Sequence, residues 1–167
     1  MEAVEEQRWL TEEEHQTWFA LAGMATWLPD ALDAQLQRDS GIVHFEYLVM
    51  AMLSMSPQRT RRMKEVAALA NGSLTRLSRT VDRLEQRGWV TRRPDPDDGR
   101  STLAVLTDAG RDKVVAAAPG HVNEVRRLVF DPLTKAQVRQ LNEIATRVRR
   151  AIQPDGCLPT LPTPDAP

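Results

Sequence analysis

Across 167 residues the chain has one cysteine, one tyrosine and three histidines, and of its 22 basic residues only Lys64, Lys113 and Lys135 are lysine. Each shortage narrows the chemistry. Cys157 has no partner for an internal disulfide and sits in a proline-rich tail, which fits a reducing compartment and gives thiol sensing little support. His15, His44 and His121 lack the close spacing of metal ligands, so no metal site is expected. No apolar run approaches the roughly 18 residues that span a bilayer. The start Met1-Glu2-Ala3-Val4-Glu5-Glu6 has neither the basic nor the apolar region of a signal peptide, so the chain is expected in the cytoplasm, away from membranes. There is no glycine-rich phosphate loop, and no nucleophile carries a motif with a paired base, which argues against an enzyme. No internal repeat is evident.

What the chain does hold is segregated charge. Residues 59–100 carry eleven basic side chains (Arg59, Arg61, Arg62, Lys64, Arg76, Arg79, Arg83, Arg87, Arg92, Arg93 and Arg100) against six acids, whereas residues 1–58 carry two basics against ten acids. A formal net charge of −1 therefore conceals a basic patch. Such a patch attracts phosphate, because neutralising a duplex backbone releases its condensed counterions.

Within the patch, Arg76, Arg79, Arg83 and Arg87 fall inside an arc of about 80° on a helical wheel. Leu74, Leu77, Val81 and Leu84 occupy another arc, centred about 140° away. A helix with this pattern buries one face and presents guanidinium groups on the other. Charged helix faces are commonly just solvated; here the surrounding charge favours nucleic acid.

The remaining punctuation organises the chain. Thr11-Glu12-Glu13-Glu14 forms a capping box, and Trp18, Leu21, Ala22, Ala25, Leu28 and Leu32 follow at helical spacing. This predicts a helix to about residue 36, ended by Asp39-Ser40-Gly41. A second helix is expected over 44–55, a connector over 56–60, a short helix over 63–70 and a tight turn at Asn71-Gly72 before Ser73 caps the arginine helix. Helix, glycine-containing turn and helix form a DNA-reading arrangement. Gly88 suits a left-handed C-cap, and residues 89–93 and 101–106 read as strands of a hairpin wing around an acidic tip, 94–99. Thr107 caps a helix to about residue 118, which Pro119-Gly120 is expected to kink or break before a continuation to about Phe130. Thr134-Lys135-Ala136-Gln137 is another capping box, leading Val138, Leu141, Ile144, Ala145, Val148 and Ile152 at helical spacing. From residue 153 the proline-rich tail is expected to be disordered. The fold class is thus mainly α with a small β-hairpin wing. A winged helix does not need two long apolar-striped terminal helices for its own core, so they are expected to pair with a second copy.

Four segments in this order and spacing carry a resemblance to the MarR family of bacterial transcriptional regulators. They are Ser78-Arg79-Thr80-Val81-Asp82-Arg83-Leu84-Glu85, Gly88-Trp89-Val90, Asp98-Gly99-Arg100-Ser101 and Leu106-Thr107-Asp108-Ala109-Gly110-Arg111. The likeness spans roughly residues 11–152. It implies a homodimer with a dimerisation helix in residues 1–42, a winged helix-turn-helix in 43–107 and dimerisation helices in 108–152. It further implies a repressor, needing no cofactor to bind DNA, that leaves a pseudo-palindromic operator when a small, often aromatic, effector binds. The alternative is an architectural DNA binder without an effector, or a protein-interaction module.

Mapped by motif, the resemblance makes residues 73–87 the recognition helix. Arg76 and Arg79 become candidates for guanine O6 and N7, and Ser73, Thr75 and Thr80 candidates for phosphates, Ser73 otherwise serving as a plain N-cap. Arg83 and Arg87 are left between backbone contact and an ion-paired or solvated role. Arg100 matches the arginine at the wing tip that enters the minor groove, with Asp98 expected to orient it by a salt bridge. Candidate linings of the effector pocket are His15, Trp18, Trp27, His44 and Tyr47. Trp18 and Trp27, nine residues apart, point about 180° from one another and cannot both face one cavity on a straight helix. Lacking a cysteine in its folded part, the chain departs from the thiol-oxidised members of the family.

Overall fold

The computed structural model describes residues 7–153. The acidic start and the proline-rich tail with Cys157 lie outside the described residues. Among them the chain forms α1 (Glu12–Ser40), α2 (His44–Ser54), a 3-10 turn (Pro57–Arg59), β1 (Thr60–Arg62), α3 (Met63–Leu69), α4 (Leu74–Gln86), β2 (Val90–Pro94), β3 (Thr102–Leu106), α5 (Asp108–Val125), a π-helical turn (Arg126–Phe130) and α6 (Lys135–Ile152). No described helix is long and apolar enough to cross a membrane.

Side-chain caps set most helix starts. Thr11 and Thr134 each accept the amide three residues on, while Glu14 and Gln137 reach back to the cap's own amide. Ser73 and Thr107 cap α4 and α5. Gly41, at φ 63°, closes α1 with its amide on Gln37 O, and Ile42 N reaches Leu36 O.

The antiparallel sheet runs β1-β3-β2, with Val90 opposite Leu106 and Thr60 opposite Val105. Strand β1 was not legible in the sequence, which reads residues 56–60 as a connector and 63–70 as a helix; three residues, two of them arginine, give no alternation to detect. The core gathers Leu36, Ile42, Val49, Met50, Leu53, Val66, Leu77, Val81, Leu84, Val90 and Leu106, joined by Val114 and Ala117 of α5. It thus binds the winged lobe to the second half of α1 and the first half of α5. Leu74 leaves the expected stripe: it is 53% exposed, in the first turn of α4, beyond the reach of this core.

Of the kink or break expected at Pro119 the break does not occur, since α5 runs through it to Val125. The carbonyl that its missing N–H leaves free belongs to Val115, whose side chain is exposed, so water can satisfy it. The helix widens later, at Arg126–Phe130, where Asp131 N bonds Arg126 O.

The first half of α1 and all of α6 bury no residue, and Trp18, Phe19, Trp27, Ile144, Val148 and Ile152 stand in solvent. Between these helices an apolar groove of about 560 Å³ is lined by Met24, Trp27, Leu28, Leu128, Leu141 and Ile144 among others.

Candidate nucleic-acid interface

Ser73 Oγ accepts the Arg76 amide at 3.1 Å, which anchors the first turn of α4. Leu77, Val81 and Leu84 seat the helix in the core, leaving Thr75, Arg76 and Arg79 on the outside. The turn before α4 has two special residues. Asn71 takes the left-handed conformation at φ 48°. Gly72 lets the Phe45 ring approach closely, since a Cβ there would stand 2.8 Å from Phe45 Cζ and the ring would have to shift. That ring, from the first turn of α2, also lies under Arg76, whose Cζ is 4.1 Å from its centroid.

The arginine stripe is not uniform. Arg83 Nε bonds Glu46 Oε1 at 2.9 Å and Arg87 Nη1 approaches Glu46 Oε2 at 3.4 Å, while the same carboxylate accepts the Val43 amide. Glu46 is 2% exposed and ties the C-terminal half of α4 to α2. Of the two roles left open for Arg83 and Arg87, the ion-paired one is observed. Thr80 corrects the expected phosphate contact: it is 2% exposed, facing inward with the apolar stripe, and its hydroxyl accepts from Arg83.

Arg92 anchors the wing to the recognition helix. Its guanidinium meets Asp82 and Glu85 at 2.7 Å each and donates to Ser78 O at 2.7 Å, while its amide bonds Glu85. At the tip, buried Asp95 accepts from Arg62 Nε at 2.6 Å and from the Asp97 amide at 3.0 Å. The Asp97 amide and the Arg62 guanidinium hold its carboxyl below the usual range. Asp98 does not pair with the Arg100 guanidinium as expected. Its oxygens accept the Arg100 amide at 3.1 Å and the Ser101 hydroxyl at 2.7 Å, since a two-residue turn directs the carboxylate at the backbone. Asp98 therefore shapes the tip and leaves the Arg100 side chain exposed.

Two clefts of about 340 Å³ adjoin α4. One is bordered by Ser73, Thr75, Arg76 and Arg79. The other brings Arg62, Lys64 and Arg100 together with Leu74 and Ser78, so the wing tip and the recognition helix share one basic concavity. Among the described residues Lys64, Arg76, Arg79 and Arg100, which border these two clefts, make no ion pair.

The candidate effector residues are not brought together. His15 and Trp18 stand exposed on the first turns of α1, and Trp27 lines the apolar groove against α6. His44 borders a separate cavity of about 600 Å³ with Pro29, Asp33, Phe45, Asn71 and Arg76, between α1, α2 and the turn before α4. Tyr47 packs on His121 of α5, 4.6 Å between ring centroids, and His121 lies 5.8 Å from His44. Among the described residues no group of three or more metal-ligating side chains occurs.

Sequence reasoning missed Phe45, Glu46, Arg62, Arg92 and Asp95. Glu46 offered a signal, a lone carboxylate in the apolar run 42–53 with arginines four residues apart at 83 and 87.

Residues 42–101 match the model of the MarR family. Among solved structures the chain is similar to Sco3205, a MarR family transcriptional regulator from Streptomyces coelicolor in complex with DNA, with 46% identity, a TM-score of 0.85, and coverage of 90% of this chain and 94% of that one. It is also 30% identical over 105 residues to the HTH-type transcriptional regulator YkoM of Bacillus subtilis and 28% identical over 105 residues to the transcriptional repressor MprA of Escherichia coli. Each alignment covers 62% of this chain, and the chain spans 66% and 59% of those two curated relatives.

Proposed function

Because the chain belongs to the MarR family of DNA-binding transcriptional regulators, we propose that it acts as a homodimeric repressor whose two winged lobes read a pseudo-palindromic operator and are released by a small aromatic effector. The observation that carries the DNA-reading part is the shared basic concavity of α4 and the wing. Arg76 and Arg79 read base edges in the major groove, Ser73 and Thr75 fix register on phosphates, and Arg100 enters the minor groove. Arg83 reaches the same surface already paired to Glu46 and contributes by holding the helix in place.

Residues 1–42 and 108–152 supply the dimerisation lobe and 43–107 the reading lobe. Support comes from the apolar groove between α1 and α6, which a second copy would cover. Two-fold symmetry then places equivalent helices in half-sites about one helical turn apart. The effector occupies the cavity beside His44 and Phe45, whose wall includes Arg76 itself. A ligand there touches the reading residue directly, which gives it differential affinity for the free and DNA-bound states.

The test is footprinting on the DNA upstream of the protein's own gene and of its divergent neighbour, across a salt titration, beside an Arg76→Ala/Arg79→Ala variant. Protection by the wild type and its loss in the variant is the expected result. No preference over random DNA would leave an architectural or protein-binding role.

A further inference from the structure

We infer that Phe45 is a positioning residue for DNA recognition, setting the direction of Arg76 and through it the sequence preference of the recognition helix. The inference rests on Arg76 reading a base edge.

Arg76 is exposed, and no carboxylate among the described residues holds its guanidinium. An arginine in that state loses much rotamer freedom on forming a bidentate contact. The Phe45 ring, with Arg76 Cζ 4.1 Å from its centroid, holds the guanidinium by its π face while leaving the N–H fork free to donate. The ring packs close against the turn before α4. Its Cζ occupies the space that a Cβ on Gly72 would need, 2.8 Å away, and its neighbour Glu46 is locked by Arg83 and Arg87. Consecutive residues of α2 thus divide the stripe, Glu46 binding the C-terminal arginines and Phe45 supporting Arg76 on its ring.

The experiment is a double-mutant cycle on full-length protein. Its probes are the duplex the wild type selects from a random library and a scrambled duplex of the same composition. Its readout is the ratio of the two affinities. Phe45→Leu is expected to lose about threefold to thirtyfold of that ratio, the span of a cation–π contact. Arg76→Ala should lose on the order of tenfold or more. The double variant should lose no more than Arg76→Ala alone. Losses that multiply, or an unchanged ratio in Phe45→Leu, overturn the inference. An unchanged ratio in Arg76→Ala removes the base-reading role instead, and is told apart by that single variant. Two further variants do not depend on Phe45→Leu folding. Gly72→Ala displaces the ring without altering either side chain and should give the same Arg76-dependent loss. Stepwise fluorination of the Phe45 ring weakens its π face at nearly constant shape and should lower the ratio in steps; a flat response overturns the cation–π role.

Discussion

The carbonyl oxygen of Trp89 lies 2.1 Å from the point where a Cβ on Gly110 would stand. It also accepts the Thr107 amide at 3.0 Å, while Thr107 Oγ1 donates to Gly88 O at 2.7 Å and accepts the Gly110 amide at 3.0 Å. The segment Leu106-Thr107-Asp108-Ala109-Gly110 is therefore a clasp between the wing and α5. Backbone meeting backbone has no rotamer by which to yield. Gly110→Ala should cost about 1–3 kcal/mol or more, read as a lower melting temperature. Gly99→Ala, with open space around it, should melt like the wild type. Equal melting of both variants would dissolve the clasp.

Asp95 is the buried pin of the wing, joined to Arg62 of β1 and to the Asp97 amide. In Asp95→Ala the tip should loosen, with faster hydrogen exchange at the Asp97 amide and weaker DNA binding. If the loss travels through the wing, it should largely vanish in an Arg100→Ala background. Equal losses in both backgrounds would place Asp95 outside the wing's contribution.

Arg100 has its backbone held by Asp98 and its side chain free. Truncation to alanine should weaken operator binding and lower the slope of log affinity against log salt, by about 0.9 for each phosphate neutralisation lost. Arg76→Ala should act chiefly on sequence preference. An Arg100→Ala protein with wild-type affinity across the salt titration would take the wing out of the interface.

Sequence legibility followed the range of the interaction. Thr11, Ser73, Thr107 and Thr134 start helices within three or four residues of themselves, and Gly88 adopts φ 71° as its C-cap role requires, so local chemistry sufficed. What stayed hidden depends on distant partners. Asp95 reads as one more acid in a polar turn until Arg62, 33 residues away, is placed against it. The arginine stripe reads as one face until Glu46 binds half of it from 37 and 41 residues away. Thr80 falls near that face on the wheel yet turns inward, a difference of one helix edge that periodicity cannot resolve.

His44 and His121 give the α2–α5 junction a pH dependence. Burial lowers both pKa values from the ordinary 6.5; Asp33 pulls His44 partly back up, and the His44 charge pushes His121 further down. Tyr47, between the same elements, has its phenol raised by burial. A histidine with a lowered folded pKa leaves the unfolded chain holding more protons below 6.5, so stability is whole above that pH and falls as pH drops through it toward the folded values. Asp39 and Glu124, whose values are lowered by hydrogen bonds to Gln35 and Arg127, lose stability only further down, below the ordinary 3.8 and 4.5. Melting temperature should therefore decline from about pH 7.5 to 5.5, with a smaller decline in His121→Asn. The same decline in that variant would assign the dependence elsewhere.

Ile144 is 59% exposed on α6, and Trp27 is 73% exposed on α1, yet both line the apolar groove between those helices. Glutamate at 144 adds a charge without touching the winged core, since α6 buries no residue of its own. If the groove is where a second copy seats, Ile144→Glu must desolvate that carboxylate on assembly, which is costly without a partner. Analytical ultracentrifugation should then find a lighter species. If two lobes share a palindromic site, each alone makes only half of that contact, and operator affinity should fall far more than affinity for a single half-site. A variant that sediments as the wild type does would move the subunit contact off this groove, and an unchanged ratio between full and half operators would deny that two lobes bind together.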